Sequence, residues 1–175
     1  MSNSTFLSIL FLFVCSLCHG QIIDKDYEQI GVVDRDYPGK DIPFYFFADD
    51  ERDVVLIGYG FKPTTFTVFK LSSLERISMF KTKGHTTSVE SYFSESESDI
   101  IYIKNSKGKT VSKVNFKTGE VTKTKCQLSP KGCDYFTEKN YTALWDEEFR
   151  FYYFFFKRYL FLVEQETVSA YKKVN

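Results

Sequence analysis

The sequence predicts an all-β fold built from repeated antiparallel units, and three observations support this prediction. Phe and Tyr are abundant, at 19 and 12 of 175 residues, and turn-forming residues divide the chain into runs of about 8–12 residues, which is typical of many short strands. Helical periodicity is absent even from the most helix-like stretch, residues 135–148. The run Asp99–Ile103 closely copies Asp53–Ile57, which lies 46 residues earlier, and such a spacing indicates tandem repeats.

The first 20 residues predict a secretory signal peptide. They contain no Lys, Arg, Asp or Glu, and an apolar run from Phe6 to Leu17 precedes the small residue Gly20. This run is too short to cross a bilayer core of about 30 Å. The later apolar stretch Phe149–Val163 is interrupted by charged side chains, so we expect no membrane span. Residues 21–175 then have the size of a single domain.

Three related units follow one another, each with an acidic turn before its strands. Phe47 and Phe93 precede the first two acidic turns at the same 46-residue spacing. Upstream, Tyr27–Val33 is predicted to be a lone outer strand left over from a truncated fourth unit. The predicted strands are Asp53–Tyr59, Phe66–Leu71 and Leu74–Phe80 in the first unit, Asp99–Lys104, Thr110–Phe116 and Glu120–Lys125 in the second, and Phe149–Phe156, Tyr159–Val163 and Thr167–Lys172 in the third.

Units of this length with three or four antiparallel strands are typical of β-propeller blades. A blade has two apolar faces and needs neighbours to cover both. The strand Asp99–Ile103 is apolar on both faces, because Ile101 and Ile103 point one way while Ile100 and Tyr102 point the other. We therefore predict propeller-like blades in tandem, with this strand buried. The alternative is a lipocalin-like up-and-down barrel, which suits the chain length but does not require the repeat.

The aromatic run Phe149–Phe161 holds nine Phe or Tyr in thirteen residues. Aromatic side chains that alternate along a strand and its hairpin partner each bury about 150–250 Å². We expect this run to form core between sheets rather than the wall of a ligand site.

Two segments resemble hemopexin-type propeller repeats. The first is Ala143-Leu144-Trp145 followed by Tyr153–Tyr159, and the second is Asp36–Ile42, which is similar to the segment that closes such a repeat. The resemblance implies a four-bladed propeller that serves as a binding module, in some family members with ions in the central channel.

Two modifications are expected in an oxidising, extracellular environment. Only Cys126 and Cys133 lie outside the predicted signal peptide, and such a pair normally forms a disulfide. Asn140, in the sequence Asn140-Tyr141-Thr142, is an acceptor for N-glycosylation and predicts a surface loop.

A row of lysines is the main candidate for a charged binding surface. Lys109, Lys113 and Lys117 share one face of the predicted strand by the two-residue period, which suits a sulfated glycan or another polyanion. The alternative is a solvated edge strand whose lysines prevent unwanted strand pairing. The whole chain is balanced, with 23 basic and 23 acidic residues, so no overall field attracts nucleic acid.

No motif for catalysis, a metal or a cofactor is recognisable. His85 is the one histidine after residue 20, which leaves little basis for a histidine-dependent triad or zinc site. The recurring acidic clusters do not match a calcium-binding loop and are interpreted as turns. We therefore expect a secreted, non-enzymatic module that binds an extracellular protein or glycan. The alternative is a carrier that holds a small apolar ligand in a barrel.

Overall fold

The computed structural model describes residues 26–35, 43–60, 64–82, 90–104, 110–125, 141–146, 151–164 and 166–174. Every regular element named for these residues is a β-strand. The strands are β1 (Tyr27–Asp34), β2 (Pro43–Asp49), β3 (Val54–Tyr59), β4 (Thr64–Lys70), β5 (Arg76–Thr82), β6 (Glu90–Phe93), β7 (Ile100–Lys104), β8 (Thr110–Asn115), β9 (Glu120–Lys125), β10 (Thr142–Asp146), β11 (Phe151–Phe156), β12 (Tyr159–Val163) and β13 (Thr167–Lys173).

These strands form three antiparallel sheets, each built from strands that follow one another along the chain. The first sheet has the order β2-β3-β4-β5, and the second has the order β6-β7-β8-β9. The third has the order β10-β11-β12-β13 and carries β1 as a fifth strand beside β13. The prediction of propeller-like blades in tandem is confirmed, and each sheet also has an additional first strand before its acidic turn.

The two copies of the 46-residue repeat occupy equivalent places in adjacent sheets. The strands β3 and β7, which contain the two copies, are each the second strand of a sheet. The carbonyl of Asp53 accepts a hydrogen bond of 3.1 Å from the N–H of Leu71, and the carbonyl of Asp99 accepts one of 2.9 Å from the N–H of Phe116. The repeat in the sequence is therefore a repeat in the structure.

The lipocalin-like alternative is wrong. The described strands divide into three separate sheets, and pairing between consecutive strands stops after β5 and after β9. A barrel of that kind would need one continuous ladder closed on itself. The first unit instead packs face to face with each of the other two, because it has a second apolar face that a single barrel wall would leave on its outside.

The first sheet lies between the other two and is covered on both faces. All six residues of β3 are buried, since alternate side chains enter two different cores. One core joins the first sheet to the third through Phe46, Val55 and Ile57. The other joins the first sheet to the second through Val54 and Leu56.

The aromatic run is core on one face, as predicted. Phe154, Phe156 and Phe161 are buried against the first sheet. The ring of Phe154 stacks on that of Phe46 with centroids 4.9 Å apart. Phe155 points to the opposite face by strand alternation and is half-buried.

The third sheet is turned end for end relative to the first. Lys157 lies in the turn between β11 and β12, the second and third strands of the third unit. Its Nζ is 2.5 Å from Oδ1 of Asp50, which lies in the turn between β2 and β3, the first and second strands of the first sheet. At the opposite end, Arg35 beside β1 lies 4.6 Å above the ring of Tyr59. The first and second sheets instead have the same orientation, because the turns after their first strands are in contact. Nε of Arg52, between β2 and β3, donates to the carbonyl of Ser98, between β6 and β7, at 3.3 Å.

The N-terminal strand completes the third sheet. In the pairing of β1 with β13, Val33 lies opposite Val168, so the predicted outer strand belongs to the last unit rather than to a separate one. Gly31 permits this placement. A Cβ at this position would lie 2.9 Å from both the Cβ of Leu74 and the carbonyl oxygen of Ser73.

Candidate binding face on the second sheet

The second sheet has one face against the first sheet and one face, here called the outer face, that points away from it. Ile101 and Val114 pack on the first sheet. Tyr102 and Lys113 are directly opposite each other on β7 and β8 and therefore share the outer face. Thr122 of β9 lies opposite Lys113 and continues this row.

A small apolar cluster forms the base of the outer face. It contains Tyr92, Ile100, Tyr102 and Val111, and all its members belong to the second sheet. The rings of Tyr92 and Tyr102 stack with centroids 4.9 Å apart and planes 20° from parallel. Burial raises the pKa of the Tyr102 hydroxyl above its ordinary value, so this group stays neutral and can donate a hydrogen bond at neutral pH.

Beside this cluster lies a depression of about 540 Å³. Its size is within the range of small-molecule and peptide-binding clefts. Most of its side chains are polar, and they include cations, an anion and hydroxyl groups. They are Ile100, Lys113, Asn115, Glu120, Thr122, Lys123 and Thr124.

The predicted lysine row is placed beside carboxylates. The Nζ of Lys113 lies 2.8 Å from Oε2 of Glu97, and the Nζ of Lys117 lies 2.8 Å from Oδ1 of Asp99. The hydrogen bond that Lys113 donates to Glu97 raises the pKa of Lys113, and the one that Lys117 donates to Asp99 lowers the pKa of Asp99. Lys109 lies outside the described residues. The two described lysines thus belong to a mixed-charge surface.

The acidic turns have the structural roles that their sequence indicates. Oδ1 of Asp49 accepts a hydrogen bond of 3.1 Å from the N–H of Arg52. Asp53 has a positive φ of 52°, and its two carboxylate oxygens accept from the N–H and the hydroxyl of Ser72 at 2.8 and 2.7 Å. In the described part of the chain, no group of three or more His, Cys, Asp or Glu side chains is placed to hold a metal ion.

Arg52 connects the first acidic turn to the second. Its guanidinium pairs with Oδ2 of Asp49 at 2.6 Å, donates to the carbonyl of Ser94 at 2.5 Å and lies 5.4 Å from the ring centre of Phe93. A guanidinium can make all these contacts because it has several donors in a plane and a face that stacks on rings. This side chain therefore joins the turn before β3 to the turn before β7, where the first and second sheets meet.

Several predictions from the sequence fall outside the described residues. The predicted signal peptide 1–20, His85, the pair Cys126 and Cys133, and the acceptor Asn140 are all in this group, as is the segment Asp36–Ile42. They stay predictions. Among the described residues, no helix is long and apolar enough to cross a membrane.

Comparisons with known proteins find matches among solved structures alone. No family model matches the sequence. No curated protein matches it either. Among solved structures, the chain is similar to BamB from Moraxella catarrhalis, with a TM-score of 0.34 and 10% sequence identity over 73% of this chain. The chain spans 42% of that BamB chain.

The fold and the outer face define an all-β repeat protein with propeller-like blades. The hemopexin-type resemblance is not confirmed. It implies four blades, whereas the described strands form three sheets, and the last of these is reversed.

Proposed function

We propose that the protein is a secreted, non-enzymatic binding module that holds a protein partner on the outer face of the second sheet. One observation carries this proposal. Both faces of the first sheet are covered by neighbouring sheets. In the described part of the chain, the buried cluster beneath the outer face contains residues of the second sheet alone, and Thr122 and Lys123, which line the depression beside it, are exposed. In a stack of blades this face is the position that a further sheet would cover.

The chemistry of the outer face favours a protein over a polyanion. Lys113 is paired with Glu97, and Glu120 and Lys123 contribute opposite charges to the same depression. A polyanion would meet carboxylates as well as ammonium groups. A folded protein surface can present complementary charges of both signs, which gives specificity.

Photo-crosslinking tests the proposal. Thr122 is exposed and lines the depression, and Glu166 is an exposed control in a turn of the third sheet. Each position in turn receives a benzophenone amino acid, and the purified protein is irradiated with extracellular proteins from its source. We expect a discrete adduct from position 122 that a Lys113→Glu substitution reduces at least severalfold. Equal adducts from both positions, or an adduct that the substitution leaves unchanged, would contradict the proposal.

Heparin chromatography tests the polyanion alternative. The triple substitution of Lys109, Lys113 and Lys117 to Ser is compared with Lys157→Ser, which removes an ion-paired lysine of the third sheet. We expect the triple variant to elute earlier than the wild type, by a shift that matches its three lost charges when it is scaled from the shift of the single-substitution control. Loss of all retention in the triple variant alone would favour polyanion binding.

Secretion is part of the proposal and is supported by the sequence. The full chain is expressed in a eukaryotic cell with a secretory pathway. We expect a product in the medium that begins at Gln21 and carries a glycosidase-sensitive mass at Asn140. An uncleaved, unglycosylated chain inside the cell would contradict it.

A further inference from the structure

The edge strand β10 differs from the other edges of the described sheets. It pairs with β11 on one side and forms the last strand of the third sheet on the other. Leu144 is 53% exposed and Trp145 is 38% exposed. Thr142 and Ala143 are also exposed, so the outer edge of β10 is accessible from its first residue to its fourth.

Exposure together with a lack of charge distinguishes β10 from the other described edge strands. The edge strand β2 is also uncharged before Asp49, but its side chains at 45–48 are buried or half-buried. The edge strand β9 carries Lys123 and Lys125, and β5 carries Arg76 and Lys81. Charged side chains on an edge discourage pairing with another chain. In β10 the first four residues are uncharged and exposed, and no described strand pairs with its outer edge.

We propose that a second copy of this chain adds its own β10 antiparallel to this strand. With Leu144 opposite Leu144 of the partner subunit, Ala143 lies opposite Trp145 and Thr142 lies opposite Asp146. The small Ala143 leaves room for the indole, and the hydroxyl of Thr142 can donate to the carboxylate. A parallel pair in register would instead place the two Asp146 carboxylates side by side, which is unfavourable.

Cross-strand contacts on both faces of the third sheet extend into this pair. Leu144 lies opposite Tyr153, and Trp145 lies opposite Tyr152. The rings of Trp145 and Tyr152 have centroids 4.6 Å apart. The antiparallel pair continues each row into the partner subunit and joins two five-stranded sheets into one. A five-residue edge buries little surface, so the dimer is weak and depends on concentration. This inference does not depend on the proposed binding face.

The test uses sedimentation of the mature, full-length protein over a range of concentrations. Leu144→Lys introduces the charge that other edges carry at an exposed site. Val32→Lys is the matched control, because Val32 is 52% exposed on β1 at the opposite edge of the same sheet. We expect a concentration-dependent dimer in the wild type and the control, and at least a tenfold weaker dimer in Leu144→Lys.

Hydrogen exchange gives a second readout that does not depend on a substitution. The amides of residues 143–145 should exchange more slowly as the wild-type concentration rises, whereas those of β9 should not change. A protein that stays monomeric to its solubility limit would overturn the inference. A dimer that Leu144→Lys leaves unchanged would overturn it too, as would β10 protection only on adding a different protein or peptide.

Discussion

Phe46 contacts several aromatic rings in the core between the first and third sheets. It is 0% exposed and stacks on Phe154 with centroids 4.9 Å apart. Its ring also lies 5.2 Å from Phe161 and 5.1 Å from Tyr141. Truncation to alanine removes these contacts and leaves a cavity between two rigid sheets that cannot easily collapse.

We expect Phe46→Ala to lower the free energy of unfolding by about 3–5 kcal/mol, the usual cost of this truncation in a core. The control is Phe155→Ala on the other face of the third sheet, where the side chain is half-buried. Half the apolar transfer energy and no closed cavity give about 1 kcal/mol there. The two substitutions remove the same atoms. The difference between their losses of unfolding free energy therefore measures the effect of burial between the two sheets.

Urea unfolding of the purified mature protein measures both values. Trp145 is the single tryptophan and reports on the third sheet by fluorescence, while circular dichroism reports on all strands. Coincident transitions would justify a two-state free energy. Equal losses for Phe46→Ala and Phe155→Ala would refute the packing of these two sheets through this face.

Three further predictions concern other parts of the chain. Gly31→Ala should lower the free energy of unfolding by about 1–3 kcal/mol, because the new Cβ overlaps the neighbouring turn; an unchanged thermal midpoint would contradict the position of β1. The hydrogen bond from Lys157 lowers the pKa of Asp50, so the stability of this pair is present above the ordinary carboxyl pKa of about 4 and is lost as pH falls through the lower, folded value. Urea unfolding at pH 7, 4 and 3 should therefore show a smaller acid-induced loss in Lys157→Met than in the wild type, and equal losses would argue against the pair. Cys126 and Cys133 should resist alkylation until a reductant is added, as read by mass spectrometry of the secreted protein, and two freely alkylated thiols would exclude the disulfide.

The sequence predicted the repeated hairpins well, because a period of two in apolar residues and an acidic turn are local signals. Asp53 and Asp99 immediately precede equivalent strands, and the buried middle strand β7 agrees with the pattern of Ile100–Ile103. The first strand of each sheet was harder to find. In the second unit it has four residues, Glu90–Phe93, which is too short for a clear pattern.

The spacing of 46 residues did not predict which face each aromatic residue occupies. Phe47 and Phe93 match in the sequence, yet Phe47 lies opposite Leu56 and Phe93 lies opposite Ile101, so they enter one core from opposite sides. The reason is the turn that follows each strand. In the first sheet it spans residues 50–53. In the second, the N–H of Ser94 also donates to the carbonyl of Ile100 at 2.8 Å, which leaves residues 95–99 in the turn. The second turn is therefore one residue longer, and a shift of one residue reverses the face of a strand.

The binding face depends on contacts that no local pattern contains. The alternation of Lys113 and Lys117 was visible in the sequence, but their carboxylate partners lie in the turn before β7, which pairing of β7 with β8 brings alongside. The order of the sheets was equally hidden, because among the described residues the core of the third unit is shared with the first unit and contains no residue of the second. Nothing within one unit specifies which neighbour covers its second face.

Footprinting of the partner-bound protein tests the central claim most directly. The complex captured through position 122 is purified after crosslinking, and the side-chain reactivity of each subunit surface is compared with that of the free protein. In the complex crosslinked through position 122, we predict that Lys113, Lys123 and Glu120 react less than in the free protein, while Lys157 keeps its reactivity. Protection of Lys157 with full reactivity at Lys113 and Lys123 would contradict the claim that the outer face of the second sheet is the binding surface.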